Sequence, residues 1–249
     1  MSLAHLVIRL CNSVSYRLRR RLRRTELRST PLAAAGLDNS DTLDLLRALP
    51  APPAVIYDLG ANRGQWTLLA KSVFPSASVH AFEPLPDHCA AFSTATGSLA
   101  GVQLHVVALG EAEATLEMDL TTFSDSASFL KPTPAMAETY QVQPGRRVRI
   151  PVVRLDDWVA GKKLPRPDLI KLDLQGYELH ALRGATACLQ HASAVLLEVS
   201  FREFYAGQAT PGTIIAFLEQ AGFRLAAFSP DLPAGRRLDQ ADALFLRGD

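Results

Sequence analysis

The sequence predicts a doubly wound, mostly parallel α/β sheet with helices on both faces, an antiparallel strand pair at its C-terminal end, and an N-terminal helical extension. Three observations carry this. Short apolar runs alternate with helix-period segments from residue 54 onward. The first run ends in a glycine-rich turn that opens a helix. The last two runs have no helix-period segment between them. The chain has 249 residues and is 48% hydrophobic, enough to bury one core and leave an extension.

At the N-terminus, Leu3, Leu6, Val7, Leu10, Val14, Leu18 and Leu22 recur at spacings of three and four, the pattern of an amphipathic helix. Residues 1–28 hold eight arginines against Glu26, a local charge of +7; with the whole chain at +1, the remainder carries −6 and is mildly acidic. Such a helix is expected first to pack against the body or a partner subunit, as in a homo-oligomer; its basic amphipathic character also suits peripheral attachment to an anionic membrane face or to an acidic partner. Nucleic acid is not an expected partner, because the basic run lacks interleaved aromatics and no reader motif follows. A second helix is predicted from about Ser40 to Leu49, with Leu43, Leu46 and Leu49 on one face. Pro50-Ala-Pro-Pro53 ends it, dividing the chain into an extension (1–50) and a main domain (51–249).

Within the main domain, Ala54–Leu59, Ser78–Phe82 and Val102–Ala108 read as strands, with helices at Gly64–Val73 and Pro86–Thr96 between them. Thr115–Leu120 and Arg147–Val153 read as strands around Thr121–Gly145, a long Ser-, Thr- and Pro-rich stretch expected to be a functional loop or lid. The alternation resumes with a strand at Asp168–Leu172, a helix at Gly176–Leu189, a strand at Ala194–Val199 and a helix at Pro211–Ala221. Phe223–Phe228 and Ala243–Leu246 then close the sheet as a hairpin. Cys11, Cys89 and Cys188 lack paired spacing and read as free thiols of a reducing compartment. No apolar run is long enough to span a membrane, and the N-terminal arginines follow the apolar stretch, the wrong order for a secretory signal. A cytoplasmic location is expected.

The chemical signal is strongest in Val55-Ile-Tyr-Asp-Leu-Gly-Ala-Asn-Arg-Gly-Gln65, a strand ending in an acid and then Gly60 and Gly64 flanking a turn. Gly60 lets the backbone turn sharply and approach a ligand where a Cβ would collide. A dinucleotide site would want G-x-G-x-x-G with a helix N-terminus facing pyrophosphate. This turn is G-x-x-x-G, and a carboxylate at Asp58 repels pyrophosphate but suits a cation. S-adenosylmethionine, with its sulfonium and ammonium, fits that charge. Glu83, at the end of the second strand, is placed to accept from two ribose hydroxyls, an arrangement shared by both cofactor classes.

Asp58-Leu-Gly-Ala-Asn-Arg-Gly64, Phe82-Glu-Pro84, Leu155-Asp-Asp-Trp158 and Ile170-Lys-Leu-Asp-Leu-Gln-Gly-Tyr-Glu178, with Glu198-Val-Ser-Phe201 and Tyr205-Ala-Gly-Gln208, occur in an order and spacing that resembles the FkbM-type methyltransferases. The resemblance covers about Val55 to Leu246 and omits residues 1–50. It implies a class I methyltransferase fold of seven strands, S-adenosylmethionine as cofactor, and methyl transfer to oxygen, commonly a hydroxyl of a sugar, glycolipid or secondary metabolite. Asp58, Gly60, Ala61, Asn62, Gly64 and Gln65 would cradle the methionine end, Glu83 with Pro84 would clamp the ribose, and backbone at Ala108 and Leu109 would border the adenine. Ser126, within Ser124-Asp-Ser-Ala-Ser128, corresponds to a Ser-rich family element at the site mouth. Many family members carry Glu where Gln175 stands.

Asp173 ends the strand beside the first one across the switch point, where a carboxylate could accept the acceptor hydroxyl's proton. Glu178 and Glu198 follow as candidates, and Lys171 lies on the same strand face as Asp173. Each has a structural alternative: Asp173 as a helix cap, Glu178 as a solvated helix residue, Glu198 as a structural hydrogen-bond acceptor. Asp156 and Asp157 read as caps of the helix that starts at Trp158. No two acids have a diagnostic ligand spacing, so no metal site is expected. N- or C-methylation, and a non-catalytic cofactor-binding protein of the same fold, remain open.

Overall fold

The structure is a computed structural model and describes residues 14, 15, 18, 21–34, 42–121, 126–229 and 238–248. After a helical stretch at 21–26 come helices α1 (Pro31–Ala34) and α2 (Leu43–Arg47), then β1 (Val55–Leu59), α3 (Gln65–Val73), β2 (Ser78–Phe82), α4 (Pro86–Thr96) and β3 (Val102–His105). The chain continues through β4 (Ala108–Leu109), β5 (Ala114–Thr121), α5 (Pro134–Tyr140), β6 (Pro144–Val153) and α6 (Leu155–Lys162). It ends with β7 (Leu169–Leu172), α7 (Glu178–Arg183), α8 (Thr186–His191), β8 (Ala194–Ser200), α9 (Pro211–Gln220), β9 (Phe223–Phe228) and β10 (Gln240–Arg247).

Seven strands form one sheet in the order β3-β2-β1-β7-β8-β10-β9, and three form a small second sheet, β4-β6-β5. β1 pairs in parallel with both β2 and β7, so the chain winds outward from β1 in one direction and restarts at β7 in the other. The crevice of an open α/β sheet forms at such a reversal. β10 runs antiparallel to both β8 and β9, which is the predicted antiparallel tail.

The strand period of two divides the core. Tyr57, Leu59, Ile170, Leu172, Val195 and Leu197 face helices α6 to α9. Ile56, Val79, Leu169, Ala194, Leu196 and Leu244 face α3. Leu27, Leu32, Leu43, Leu45 and Leu46 belong to this second cluster, so these residues of the extension pack onto the body. Arg23 is buried there against Asp44 at 2.6 Å. Of the predicted N-terminal helix, Leu3, Leu6, Val7 and Leu10 lie outside the described residues, while Val14, Leu18 and Leu22 are exposed.

Four expectations change. The third strand ends at His105 rather than Ala108: Val106 is exposed, Val107 N–H bonds His105 O, and Ala108–Leu109 joins the small sheet beside β6. The stretch between β5 and β6 is not a bare loop. It forms a bridge between Asp119 and Ser128 and the helix α5, whose Met136 is buried with Val142, Phe204 and Tyr205. The predicted helix Gly176–Leu189 is two helices, because Gly184 sits against the Gly110 carbonyl and the chain turns there. Asp156 caps a helix other than its own: its carboxylate accepts from the backbone N–H of Ala187 and Cys188 and ties α8 to the start of α6.

A Cβ at Gly184 would lie 2.0 Å from the Gly110 carbonyl oxygen, backbone against backbone, with no flexible group to yield. Gly184→Ala should therefore lower stability by roughly 3 kcal/mol or more in urea denaturation. A loss below about 0.5 kcal/mol would mean that the two segments are not held together at this point.

Candidate functional site

The main cleft opens at the carboxyl ends of β1, β2 and β7, with a volume of about 990 Å³ counted out to its mouth. One wall is the turn Gly60-Ala61-Asn62 with Gln65 and Trp66 of α3; another is Glu83, Pro84 and Leu85 after β2. Val107, Ala108 and Leu109 form an apolar side, and Met118, Ser128 and Phe129 come from the small-sheet region. Lys171, Asp173, Leu174, Gln175 and Tyr177 close the β7 end.

Gly60 has a left-handed φ of 78°. A Cβ there would sit 2.0 Å from the Asp173 carbonyl oxygen, so its near neighbour is the end of β7 rather than a ligand. Gly64, at φ 88°, caps α3 and packs against Phe92 and Thr96, away from the cleft lining. The two glycines thus fix how closely the turn approaches β7 and α4. Asn62 holds a left-handed φ of 48°, and its N–H donates to Glu83 Oε2 at 3.0 Å.

Glu83 is buried and fully oriented. Besides Asn62, the Leu85 N–H donates to Oε1 at 2.9 Å and His88 Nδ1 lies 3.4 Å away. It reaches the cleft wall as a fixed acceptor. Asp58 does not reach it: the side chain is 0% exposed, with Oδ2 accepting from Thr67 at 2.7 Å and Oδ1 3.1 Å from Lys171 Nζ. Burial pulls the Lys171 ammonium down, and the carboxylates of Asp58 and Asp173 more than offset it, so the lysine stays above its ordinary value as a cation. Its Nζ also lies 3.4 Å from the Gly60 carbonyl and over the Trp66 ring.

Asp173 is the carboxylate that faces the cleft at the β7 end. Gln175 Nε2 donates to its Oδ1 at 2.7 Å. Gln175 is strained, at φ 53°, and is held on every side: Tyr205 OH donates to its Oε1, and Ser128 Oγ donates to its carbonyl. Of the predicted residues that do not line the cleft, Glu178 accepts at Oε1 from Leu174 and Gly176 N–H and pins the turn after β7. Burial raises its carboxyl to about 7, against the pull of those hydrogen bonds. Ser126 is buried behind the wall beside Thr121, and Ser128 takes the lining place. Glu198 lines a second, adjoining chamber instead, with Gln240 Nε2 donating to its carboxylate. Burial first, then Asp173 and Asp242, push its carboxyl well above the usual range.

Trp66, Phe129 and Tyr177 were not singled out in the sequence. Trp66 stands directly after Gln65 in the turn motif, and that adjacency was the one signal available for it. Among the described residues, no group of three or more His, Cys, Asp or Glu side chains has metal-holding geometry, and no helix is long and apolar enough to cross a membrane.

The donor set fits a cationic nucleoside. An acceptor-only carboxylate, Glu83, is fixed at one end for a diol; Asp173 is at the other for a positive group; and apolar Leu85, Val107 and Leu109 lie along the wall. Among the described residues that line the cleft, the lysine is Lys171, and it is already paired with Asp58 rather than free to hold a pyrophosphate.

Residues 58–225 match the model of the methyltransferase FkbM domain. The chain is similar to the 2-O-methyltransferase NoeI of Sinorhizobium fredii, 28% identical over 75% of this chain and 79% of that protein. It is also similar to the hexuronic acid methyltransferase AglP of Haloferax volcanii, 28% identical over 64% of this chain and 61% of the relative. The crystal structure of methyltransferase FkbM from Methylobacillus flagellatus superposes with a TM-score of 0.52 at 17% identity, covering 80% of this chain and 45% of that one, a likeness of fold. The family match spans well over half of the sequence and includes both walls of the cleft, so the chain belongs to the FkbM methyltransferase family and is an enzyme whose methyl donor is S-adenosylmethionine.

Proposed function

We propose that the protein methylates a hydroxyl of a sugar, glycolipid or secondary metabolite, with residues 51–249 as the catalytic unit and residues 1–50 as an extension to it. The observation that carries this reading is a cleft with Glu83 fixed at one end and Asp173 at the other, on either side of the Gly60–Asn62 turn. The two relatives named above, a 2-O-methyltransferase and a hexuronic acid methyltransferase, support oxygen as the methyl acceptor. A cytoplasmic setting is supported by Cys89 and Cys188, both buried and free. The exposed stripe Val14, Leu18 and Leu22, in an arginine-rich segment, supports attachment to a membrane surface or a second subunit.

The cofactor, when bound, supplies an electrophilic methyl group. The chain's own residues do the rest. Backbone at Gly60, Ala61 and Asn62, with Gln65 beside it, forms the cradle, and Asp58 with Gly64 shapes it from beneath. Glu83 Oε1 and Oε2, already aimed by Leu85 and Asn62, accept from the ribose hydroxyls, with Pro84 and the Ala108–Leu109 backbone bordering the base. Asp173, held by Gln175, accepts the proton of the reacting hydroxyl, with the Lys171 ammonium as its neighbouring cation. Positioning supplies much of the rate, since the attack must be in line. Glu178 acts by pinning the turn, and Ser126 by supporting the wall from behind.

Isothermal titration calorimetry should give one binding site for S-adenosylmethionine and no binding of NAD. Glu83→Ala should weaken that binding by about tenfold to a hundredfold, as expected for losing two charge-assisted hydrogen bonds. NAD binding, or unchanged affinity in Glu83→Ala, would contradict the cofactor placement. Asp173→Asn should keep S-adenosylmethionine affinity within about tenfold of wild type while kcat falls by roughly 10²–10⁴. Unchanged turnover in this variant would remove Asp173 from the proton transfer.

A further inference from the structure

Val14, Leu18 and Leu22 are spaced by four, which on a helix makes one stripe, and they stand 49%, 55% and 62% exposed. Residues 14, 15, 18 and 21–26 are helical. The same segment meets the body on its other side. Arg23 is buried, with its guanidinium 2.6 Å from Asp44, and Leu27 is buried in the core cluster that it shares with α3. Successive helix positions turn by about 100°, so the stripe faces away from the contacts that hold the segment. A lone exposed leucine is ordinary. Three aliphatic side chains on the outer face of a segment that already has a body-facing side form a surface for a partner.

Charge selects that partner. Residues 1–28 hold eight arginines and one acid, Glu26, and Glu26 is itself paired with Arg47 at 2.8 Å. Arg21 and Arg24 are exposed in the same helical stretch as Leu22. A two-fold dimer through this helix would set the segment against its own copy, +7 against +7, because such an interface uses the same patch on both subunits. Three aliphatic side chains also fall far short of the roughly 800 Å² per partner that a stable interface buries. An anionic lipid surface meets neither objection. It accepts an in-plane helix whose aliphatic stripe enters the boundary of the acyl chains, with arginines reaching headgroup phosphates alongside.

We propose that this segment is a reversible anchor to an anionic lipid surface, with Val14, Leu18 and Leu22 inserted and the arginines on the phosphates. The proposal rests on the reading of the stripe as an attachment surface given above and commits it to one partner; the identity of the methyl acceptor does not enter. Three aliphatic side chains bury less hydrocarbon than a single myristoyl chain, which by itself gives only marginal attachment. The stripe and the arginines are therefore both required, and the anchor lets go when salt screens the charges. Leu27 and Leu32 share their core cluster with Trp66 and Leu69 of α3, and Trp66 lines the cleft, so the inner side of the anchor and the cleft wall belong to one packed unit.

The test is co-sedimentation of the full chain with sucrose-loaded vesicles. Vesicles containing about one quarter phosphatidylglycerol should bind roughly tenfold or more tightly than phosphatidylcholine alone. Raising NaCl from about 0.1 M to about 0.5 M should release most of the bound protein. Leu18→Gln combined with Leu22→Gln keeps helix-forming residues at exposed positions and should weaken binding by roughly tenfold or more. Arg21→Gln should weaken it by about fivefold. Both variants should melt like wild type and bind S-adenosylhomocysteine like wild type in calorimetry. Equal binding to the two vesicle types, or a double leucine variant that pellets like wild type, overturns the proposal, since one of the two required contacts would then be idle. Absence of vesicle binding, with self-association in sedimentation velocity that the double leucine variant abolishes, overturns it in favour of a second copy of this chain. Absence of both removes the stripe as an attachment surface altogether. Failure of the wild-type chain to bind S-adenosylhomocysteine would instead sink the methyltransferase reading, which separates the two.

Discussion

The pair of Asp58 and Lys171, 3.1 Å apart on neighbouring strands at the switch point, is the contact on which the site is built. Asp58 is wholly buried and Lys171 nearly so. Either charge alone in that position would cost several kcal/mol, and together, with Thr67 bonding the second carboxylate oxygen, they are compensated. The pair locks the end of β1 to the end of β7 two residues before the point where Gly60 meets the Asp173 carbonyl. It therefore sets the distance between the turn that cradles the methyl donor and the carboxylate that faces the acceptor. It also consumes the positive charge of Lys171, which leaves the cleft and the adjoining chamber net acidic.

That electrostatic outcome separates this site from a dinucleotide site more firmly than the glycine spacing does. The carboxylates turned to the ligand are Glu83 and Asp173, each fixed by hydrogen bonds from its neighbours. Gln175 stabilises the second by donating to it, at the expense of a left-handed backbone that Tyr205 and Ser128 hold in place. A glutamate in that position would bring another acid next to Asp173 in place of a donor, beside Glu198 and Asp242 of the adjoining chamber.

The sheet was legible because its strands are short, apolar and separated by helices, a pattern that period and turn chemistry fix locally. The end of the third strand was not, because the switch of Ala108–Leu109 to a second sheet depends on Val152 and Val153 of β6, 44 residues away in sequence. The break at Gly184 depends likewise on Gly110. Glu83 and Asp173 could be read from their places at strand ends. Asp58 could be identified as important but not as internal, since its distance from the cleft follows from Lys171 and Thr67 closing over it. Glu178, on a predicted helix, and Glu198, at a strand end, both stand as acid candidates behind Asp173, and tertiary contacts alone assign the first to a turn and the second to a separate cavity.

A double-mutant cycle across the Asp58–Lys171 pair, read by urea denaturation, tests the central claim most directly. Asp58→Leu and Lys171→Met should each cost about 3–5 kcal/mol, because each strands a buried charge. The double variant should return to within about 1 kcal/mol of wild type, giving a coupling of several kcal/mol. Single variants that cost little, or costs that simply add, would show that the two charges do not hold the switch point together.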